Sequence, residues 1–586
     1  MKRYLIISAI ILSAAATAGA QNLNPTVEVT NQFEGKVMEV AKPVVDMAVP
    51  DSLLRFDLNF DYSVFDTPYK GTYEFSPYLL EMQPQPDAYR GRSFYLRLGA
   101  GYALHPTADL VFSPEWTGPF QLNVYGMHRS YFGPYRMRLG DFEWDGKGHD
   151  MLTKAGANGR YDYGKGAFTF DAGYYGIHTK NESYIGANGF NAFDLKARVQ
   201  SLGAASFLYD AALSFRAASE ASSFWTENLG VKDFGFDAVL GPELSETARL
   251  VADVHFGINA YDGLFPVRTG AFSVAPKYVW NADRWRIAAG VRLSTTFRSG
   301  DEEKEGWTLR TYGTRKGQVL YPDVHIGYEA VTDRLNLYAS LTGGEHIWSY
   351  SELKERNPFT DLMFAMTGAP LFDNSVERVR AAAGLQGNIA SKFRYDVSVG
   401  WHLTAGGLLD AVYEEPRYGS DDADDPSDGI ITKAASADVF LMPGHTYADY
   451  AAGFIKADLA YDARPVSFAG GVDLHIMNSR GLSAGFVPAS VAWGEVAWHW
   501  MDRVRAGVRA DGAFRRPGAP AYDAFASDGV LAIPGYLNLG LFGEYAVTRT
   551  LSLWVRGDNL LNANIQRHPL CPSGGISVTG GIILNL

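Results

Sequence analysis

Residues 535–586 read GYLNLGLFGEYAVTRTLSLWVRGDNLLNANIQRHPLCPSGGISVTGGIILNL, and three segments of this stretch alternate strictly. Leu537, Leu539, Leu541, Gly543, Tyr545 and Val547 share one face, against Asn538, Gly540, Phe542 and Glu544 on the other. Leu551, Leu553 and Val555 oppose Ser552, Trp554 and Arg556. Ile576, Val578, Gly580, Ile582, Leu584 and Leu586 oppose Ser577, Thr579, Gly581, Ile583 and Asn585. A period of two is a strand with two unlike faces. A last strand that runs to the last residue is the arrangement expected of a strand sealing a barrel.

The same design extends backward. Phe94, Leu96, Leu98, Ala100, Tyr102 and Leu104 alternate with Tyr95, Arg97, Gly99 and Gly101. Trp285, Ile287, Ala289, Val291, Leu293, Thr295 and Phe297 repeat it against Arg284, Arg286, Gly290 and Arg292. Val466 to Ile476 do so against Ser467, Asp473 and His475, and Val504 to Ala510 against Arg503, Arg505, Arg509 and Asp511. One row is aliphatic or small with aromatic ends, as a lipid face with two interfacial girdles requires. Segments of about ten to fourteen residues suit tilted membrane strands better than the five or six usual in soluble sheets. Connections alternate in length. Asn281–Arg284, Val331–Arg334, Met501–Arg503 and Thr548–Thr550 are short; 132–150, 299–317, 349–375, 413–445 and 515–533 read as long. Short turns face the periplasm and long loops the exterior in outer-membrane barrels, which predicts 132–150 and 413–445 outside and Asp283 and Asp333 inside. The fold class is all-β: a large transmembrane antiparallel barrel over 92–586, with roughly 22 strands.

Composition agrees. Of 586 residues, 47% are hydrophobic and 13% aromatic, with 62 glycines, and the mean hydropathy is -0.12. Strands that show lipid one face only read this way. A net charge of -13 argues against nucleic acid. The single cysteine, Cys571, excludes an intrachain disulfide and a cysteine-rich metal site. Lys2, Arg3, the apolar run 4–16 and Ala18-Gly19-Ala20 form a cleavable export signal, 1–20. Beyond it no run approaches the ~20 apolar residues of a membrane helix. Residues 21–91 form an irregular arm. It is rich in proline and aromatics, with carboxylates about twice as numerous as basic residues.

Residues 557–564, Gly-Asp-Asn-Leu-Leu-Asn-Ala-Asn, resemble the Asn-Leu-x-(Asp/Asn) loop before the final strand of TonB-dependent outer-membrane receptors. The chain departs from that family in ending on Leu586 rather than an aromatic. It also has Cys571-Pro572-Ser573-Gly574 where the family often has Pro-Gly-Arg. The arm is too short for the family's plug, so the resemblance implies a plugless barrel. Its expected function is solute transport or gated permeation; the alternative is a structural or interaction barrel that anchors a periplasmic or surface partner. Thr26, Val27, Glu28, Val29 and Thr30 resemble a TonB box, which in that family adds as a strand to its partner. Expected partners are outer-membrane lipid, a TonB-like or other periplasmic protein, and a surface lipoprotein.

Signals of chemistry are sparse. No H-E-x-x-H, G-x-S-x-G or paired-cysteine spacing occurs, so no enzyme activity and no cofactor are expected. Asp421, Asp422, Asp424, Asp425 and Asp428 cluster before Gly429, but an EF-hand register puts Pro426 and Ala435 at ligand positions. A solvated acidic loop is the simple reading and a loose Ca²⁺ site its alternative. Arg97, Arg286, Arg292, Lys456, Asp458, Asp473, Glu495, Arg505, Arg509, Glu544 and Arg556 fall on the face opposite the apolar row. A cation on the lipid face costs about 2–4 kcal/mol at the midplane, so these residues are expected to line the lumen or pair within it. A lumen of this width needs a filler. Two segments qualify: the long loops folding inward, or the arm 21–91, which its acidic charge favours.

Overall fold

The computed structural model describes residues 93–586, apart from the connections 182–185, 203–205, 223–226, 309–316, 363–372, 417–438, 480–485, 520–530 and a few shorter stretches. The export signal, the arm, Thr26–Thr30, Asp333 and Asp421–Asp428 lie outside the described residues.

Twenty-two antiparallel strands form one closed sheet, each paired with its neighbours in sequence. The last strand, Ser577–Asn585, pairs with the first, Phe94–Gly101, from Tyr95↔Asn585 to Gly101↔Thr579. Phe94 and Leu586 exchange backbone hydrogen bonds of 3.0 and 2.8 Å, which completes the seam. Closure leaves no unpaired sheet edge, the condition for a sheet to stand in hydrocarbon. The described helix Tyr350–Arg356 is short, and no described helix is long and apolar enough to cross a membrane.

The outer face has the apolar rows read from the sequence. Tyr161, Tyr278, Trp285, Phe468, Trp498, Trp500 and Tyr545 are exposed near the rim of short turns. Tyr174, Phe193, Phe215, Phe272, Phe297 and Trp401 are exposed farther along their strands. Between these girdles stand Leu195, Leu213, Val291, Val472, Val508 and Leu541. At the short-turn rim, Asp283 takes φ 47°, a conformation that Asp tolerates better than most residues.

At the opposite rim the sequence reading needs correction. Residues 132–150 are a hairpin rather than a long loop: Phe120–Leu139 and Phe142–Asp162 pair without a break up to Leu139↔Phe142. Strands Phe393–Pro416 and Val439–Tyr461 likewise narrow the expected loop 413–445. The glycines and charges of 133–148 read as loop because they lack an apolar row in the lipid-facing phase. Strand pairing beyond the membrane has no such requirement.

Candidate functional site

The connection between strands Leu335–Ile347 and Asn374–Ile389 folds into the barrel. Ser349 caps its helix: its Oγ accepts from the Glu352 backbone N–H, and Glu352 accepts back from the Ser349 N–H at 2.8 Å. This capping box satisfies two orphan donors and starts a short helix in a place with no sheet to join. Burial alone would raise the Glu352 carboxyl. His346 Nε2, 3.2 Å away, and the cap N–H groups outweigh it and hold the carboxyl below its usual range.

The helix packs on the wall formed by strands Gly166–Asn181, Gly186–Ser201, Phe207–Ser222, Leu229–Ser245 and Ala248–Gly263. Tyr350, Leu353 and Leu362 join Tyr175, Ile177, Phe190, Leu229, Val231 and Tyr261 in one buried apolar cluster. The polar anchors are also dry. Lys354 and Glu220 have no exposed side-chain surface. The Lys354 ammonium donates to Asn188 Oδ1, to Glu220 Oε1 at 3.1 Å and to the Thr360 carbonyl at 2.8 Å. Asp361 accepts from Ser222 Oγ at 2.9 Å and from Asn188 Nδ2 at 2.8 Å. Ser351 donates to Asp233 at 2.6 Å, and the Tyr261 hydroxyl accepts from the Tyr350 N–H at 3.1 Å. A buried ammonium with three acceptors is a tolerable charge; one stripped of its carboxylate is not.

The far end of the segment is fastened elsewhere on the ring. Arg356 pairs with Asp410 at 3.3 Å, and Asp410 also takes His568 Nδ1 at 3.0 Å. Asn357 Nδ2 lies 3.4 Å from Cys571 Sγ. Phe359 packs edge-on to Tyr135 beside a second apolar cluster that includes Tyr131, Met137, Leu139, Val412, Ile533 and Leu570. Residues 348–362 thus touch strands far apart in sheet order and form a strap within the lumen. Cys571 is buried with it, and burial pushes its thiol up to about 12.

The charged residues singled out in the sequence form separate groups on the inner wall. Arg292 meets Asp323 at 3.2 Å, together with Lys277 at 3.2 Å. Lys456 pairs with Asp473 at 3.3 Å, and His475 Nε2 lies 2.8 Å from the same carboxylate. Asp458 is the cross-strand neighbour of Asp396. Arg505 pairs with Glu495 at 3.1 Å and stacks on Phe542; its cross-strand neighbour is Glu544, and that of Glu495 is Arg509. Arg556 holds Asp558 at 2.7 Å. Arg97 lies 3.9 Å above the Trp554 ring, for which Gly99 makes room: a Cβ there would fall 2.2 Å from it. Arg286 is exposed near the short-turn rim. No group of three His, Cys, Asp or Glu side chains suited to a metal ion occurs among the described residues.

Sequence reasoning missed the strap's anchors: Lys354, Glu220, Asn188, Asp361 and Ser222. Periodicity cannot show them because they pair one strand with a loop far away in sequence. The one local signal was the Ser-x-x-Glu capping box at Ser349–Glu352.

No protein-family model matches the sequence, and no curated protein matches it. Solved structures do match in fold. The copper transporter OprC is 14% identical over 84% of this chain and 80% of its own, with a TM-score of 0.57. The FrpB iron transporter of Neisseria meningitidis is 9% identical over 85% and 82%, with a TM-score of 0.59. The ferripyoverdine receptor of the Pseudomonas aeruginosa outer membrane is 11% identical over 84% and 72%, with a TM-score of 0.58. The closed barrel shares the fold of TonB-dependent receptors.

Proposed function

We propose that this protein is an outer-membrane barrel for gated permeation of a solute, occluded from the long-connection side by its own strap 348–362. The observation that carries this reading is the Lys354–Glu220–Asn188–Asp361 anchor, which fixes a loop inside the lumen with dry, fully oriented polar bonds. A wide barrel with a bare lumen would leak; a barrel whose filler hangs on a few polar anchors can be opened. Long connections face the exterior by the general rule for such barrels, so the strap closes the outer side. Export by the signal 1–20, docking of a TonB-like partner at Thr26–Thr30 and Ca²⁺ on Asp421–Asp428 belong to the same proposal. So does the arm 21–91 as a second filler on the periplasmic side.

A second reading, a closed barrel that anchors a partner such as a surface lipoprotein, draws on the two apolar clusters at the strap. Such packing suits a permanent lid. Conductance in planar bilayers separates the two readings. The full chain should conduct little. A chain with 349–361 replaced by a short Gly-Ser linker should conduct in large steps, and deletion of 21–91 should raise conductance further if the arm also blocks. A silent strap-deleted barrel that is still heat-modifiable would favour the anchoring reading. Cys571, the only thiol, reports the strap directly. It should resist maleimide in the closed barrel and react once the strap is removed.

A further inference from the structure

The strap is held by contacts of two kinds. Lys354 and Glu220 are wholly buried, whereas Glu355, on the same short helix, has 44% of its side chain exposed to the lumen. Glu355 accepts from Arg216 Nη1 at 2.6 Å. Arg216 stands on strand Phe207–Ser222, on the short-turn side of Glu220 and Ser222. Its neighbour Phe215 is exposed on the lipid face, which puts Arg216 on the lumen face. Arg216 Nε and Nη2 both donate to Asp194, at 2.5 and 3.0 Å. Nη1 is the part of the fork that the wall leaves to the strap.

A second cation stands beside it. Lys154 is the cross-strand neighbour of Tyr175. Its ammonium lies 5.0 Å from the centre of that ring, and the Arg216 guanidinium lies 5.3 Å from the same centre. Lys154 makes no hydrogen bond or ion pair among the described residues; Glu355 and Asp194 attract it without contact. A ring face offsets part of the cost of a half-buried ammonium, but its three donors stay open to an acceptor. The nearest other wall charges, Lys196 and Asp171, are direct cross-strand neighbours. Asp171 also accepts from the Tyr125 hydroxyl at 3.0 Å.

We propose that Lys154 and Arg216 form a binding site for the carboxylate of a permeating solute, a position that the strap's own Glu355 takes in the closed barrel. This rests on the permeation reading above and names the class of its solute. A carboxylate is the group that Arg216 Nη1 already holds. Lys154 supplies a second cation within the same lumen face, and charge-assisted bonds of this kind are the strong ones. Asp194 on the same guanidinium opposes a doubly charged group, so a carboxylate is preferred to a phosphate. A solute bound here releases the exposed contact of the strap and leaves the dry anchors to hold it.

The test uses the full chain, folded in detergent and scored for heat-modifiability, with propionate as the probe because it has the carboxylate of a glutamate side chain. Binding is followed by ligand-observed NMR titration, with propionamide and inorganic phosphate as the comparisons. Propionate should bind and propionamide should not. Glu355 competes from within the chain at a high effective concentration, so Glu355→Gln should tighten propionate about tenfold. Lys154→Met should weaken it about tenfold. Asp237→Asn removes a lumen carboxylate away from the site and should change little, which separates loss of a competitor from a general change in lumen charge. Equal binding by the wild type and Glu355→Gln would overturn the site, as would equal tightening by Asp237→Asn. Tighter binding of phosphate than of propionate would overturn the carboxylate class. Conductance of the strap-deleted barrel tests the permeation reading separately: a barrel that conducts but shows none of these propionate effects sinks this site alone.

Discussion

Two walls of this barrel solve different problems with the same period. In the wall of strands 490–558 the outer face stays apolar to the top: Val496, Val508 and Leu541 look out, as do Phe514 and Leu537 above them, while Glu495, Arg505 and Arg509 look in below the buried Val491, Ala513 and Tyr536. In the wall of strands 166–263, strands 186–201, 229–245 and 248–263 exchange the character of their faces part-way. Leu195 and Phe193 look out and Asp194 looks in, but above them Phe190 is buried inside and Asn191 lies on the outer side. Phe234 looks out and Asp233 in, yet Val231 and Leu229 are buried inside and Lys232 is outside. Tyr261 is buried inside next to outward Asp262. Below the exchange the wall separates lipid from a polar lumen. Above it the wall separates water outside from the strap inside. The apolar face follows the drier side.

The largest effect should come from breaking what makes the upper inside dry. Lys354→Ala leaves Glu220 buried without its cation, a loss of about 3–5 kcal/mol that need not unfold the barrel because the sheet closes independently of the strap. Cys571 should become maleimide-reactive while heat-modifiability persists. Lys354→Met with Glu220→Gln removes both charges and should restore most of the protection. If the single variant leaves Cys571 protected, the anchor does not hold the strap.

Next comes the lower half, where two adjacent residues should differ sharply. Leu213 is 47% exposed on the lipid face, and Leu213→Arg should cost about 2–4 kcal/mol of insertion. Ala212 is the inward cross-strand neighbour of Asp237, so Ala212→Arg should fold nearly as the wild type. The fraction of heat-modifiable protein recovered from liposomes measures both. Gly99 and Gly290 are unsuited as inward controls. A Cβ at Gly99 would meet Trp554, and one at Gly290 would fall 2.3 Å from the Pro276 carbonyl.

A smaller effect tests the helix start. Ser349→Ala removes the cap acceptor and should cost the strap about 1 kcal/mol, read as faster amide exchange in 348–357 with barrel exchange unchanged. Exchange that rises equally in the strands would show that strap and barrel open together.

The barrel was legible because alternation is local: Trp285 to Phe297 and Leu537 to Val547 declare their faces without knowledge of their neighbours. The opposite faces of Leu98 and Gly99 were legible for the same reason. The strap was not. Lys354 and Glu220 meet only after the sheet has closed, and in sequence each reads as a surface charge. The face exchange lies in the sequence at Phe190-Asn191 and Val231-Lys232 but runs against the lipid-facing phase, so alternation alone does not assign it. The inner-wall charges were placed by phase alone, and phase does not pair them: Arg505 reaches Glu495 four residues along the neighbouring strand, past its direct partner His499, while Lys277 reaches Asp323 across an intervening strand.

The smallest effect concerns acid. Glu352 accepts from the Ser349 N–H at 2.8 Å and faces His346 at 3.2 Å. These contacts overcome the opposing effect of burial, so the carboxyl titrates below its usual range. A depressed carboxyl pKa contributes stability that is present above the unfolded value and lost as pH falls through the folded one. The strap should therefore loosen below the ordinary carboxylate range, whereas the barrel's backbone ladder has no such dependence. Glu352 is partly open to lumen water, which screens the pair, so the change should be smaller than that of Ser349→Ala. Amide exchange of 348–357, corrected for the intrinsic effect of pH, should rise as acid is added to the wild type and stay nearly flat in Glu352→Gln, which keeps an oxygen for the cap but cannot titrate. The same rise in both proteins would remove Glu352 from the account and leave the acid response to a group that holds the strap from the wall, with Asp410 between Arg356 and His568 the first to examine.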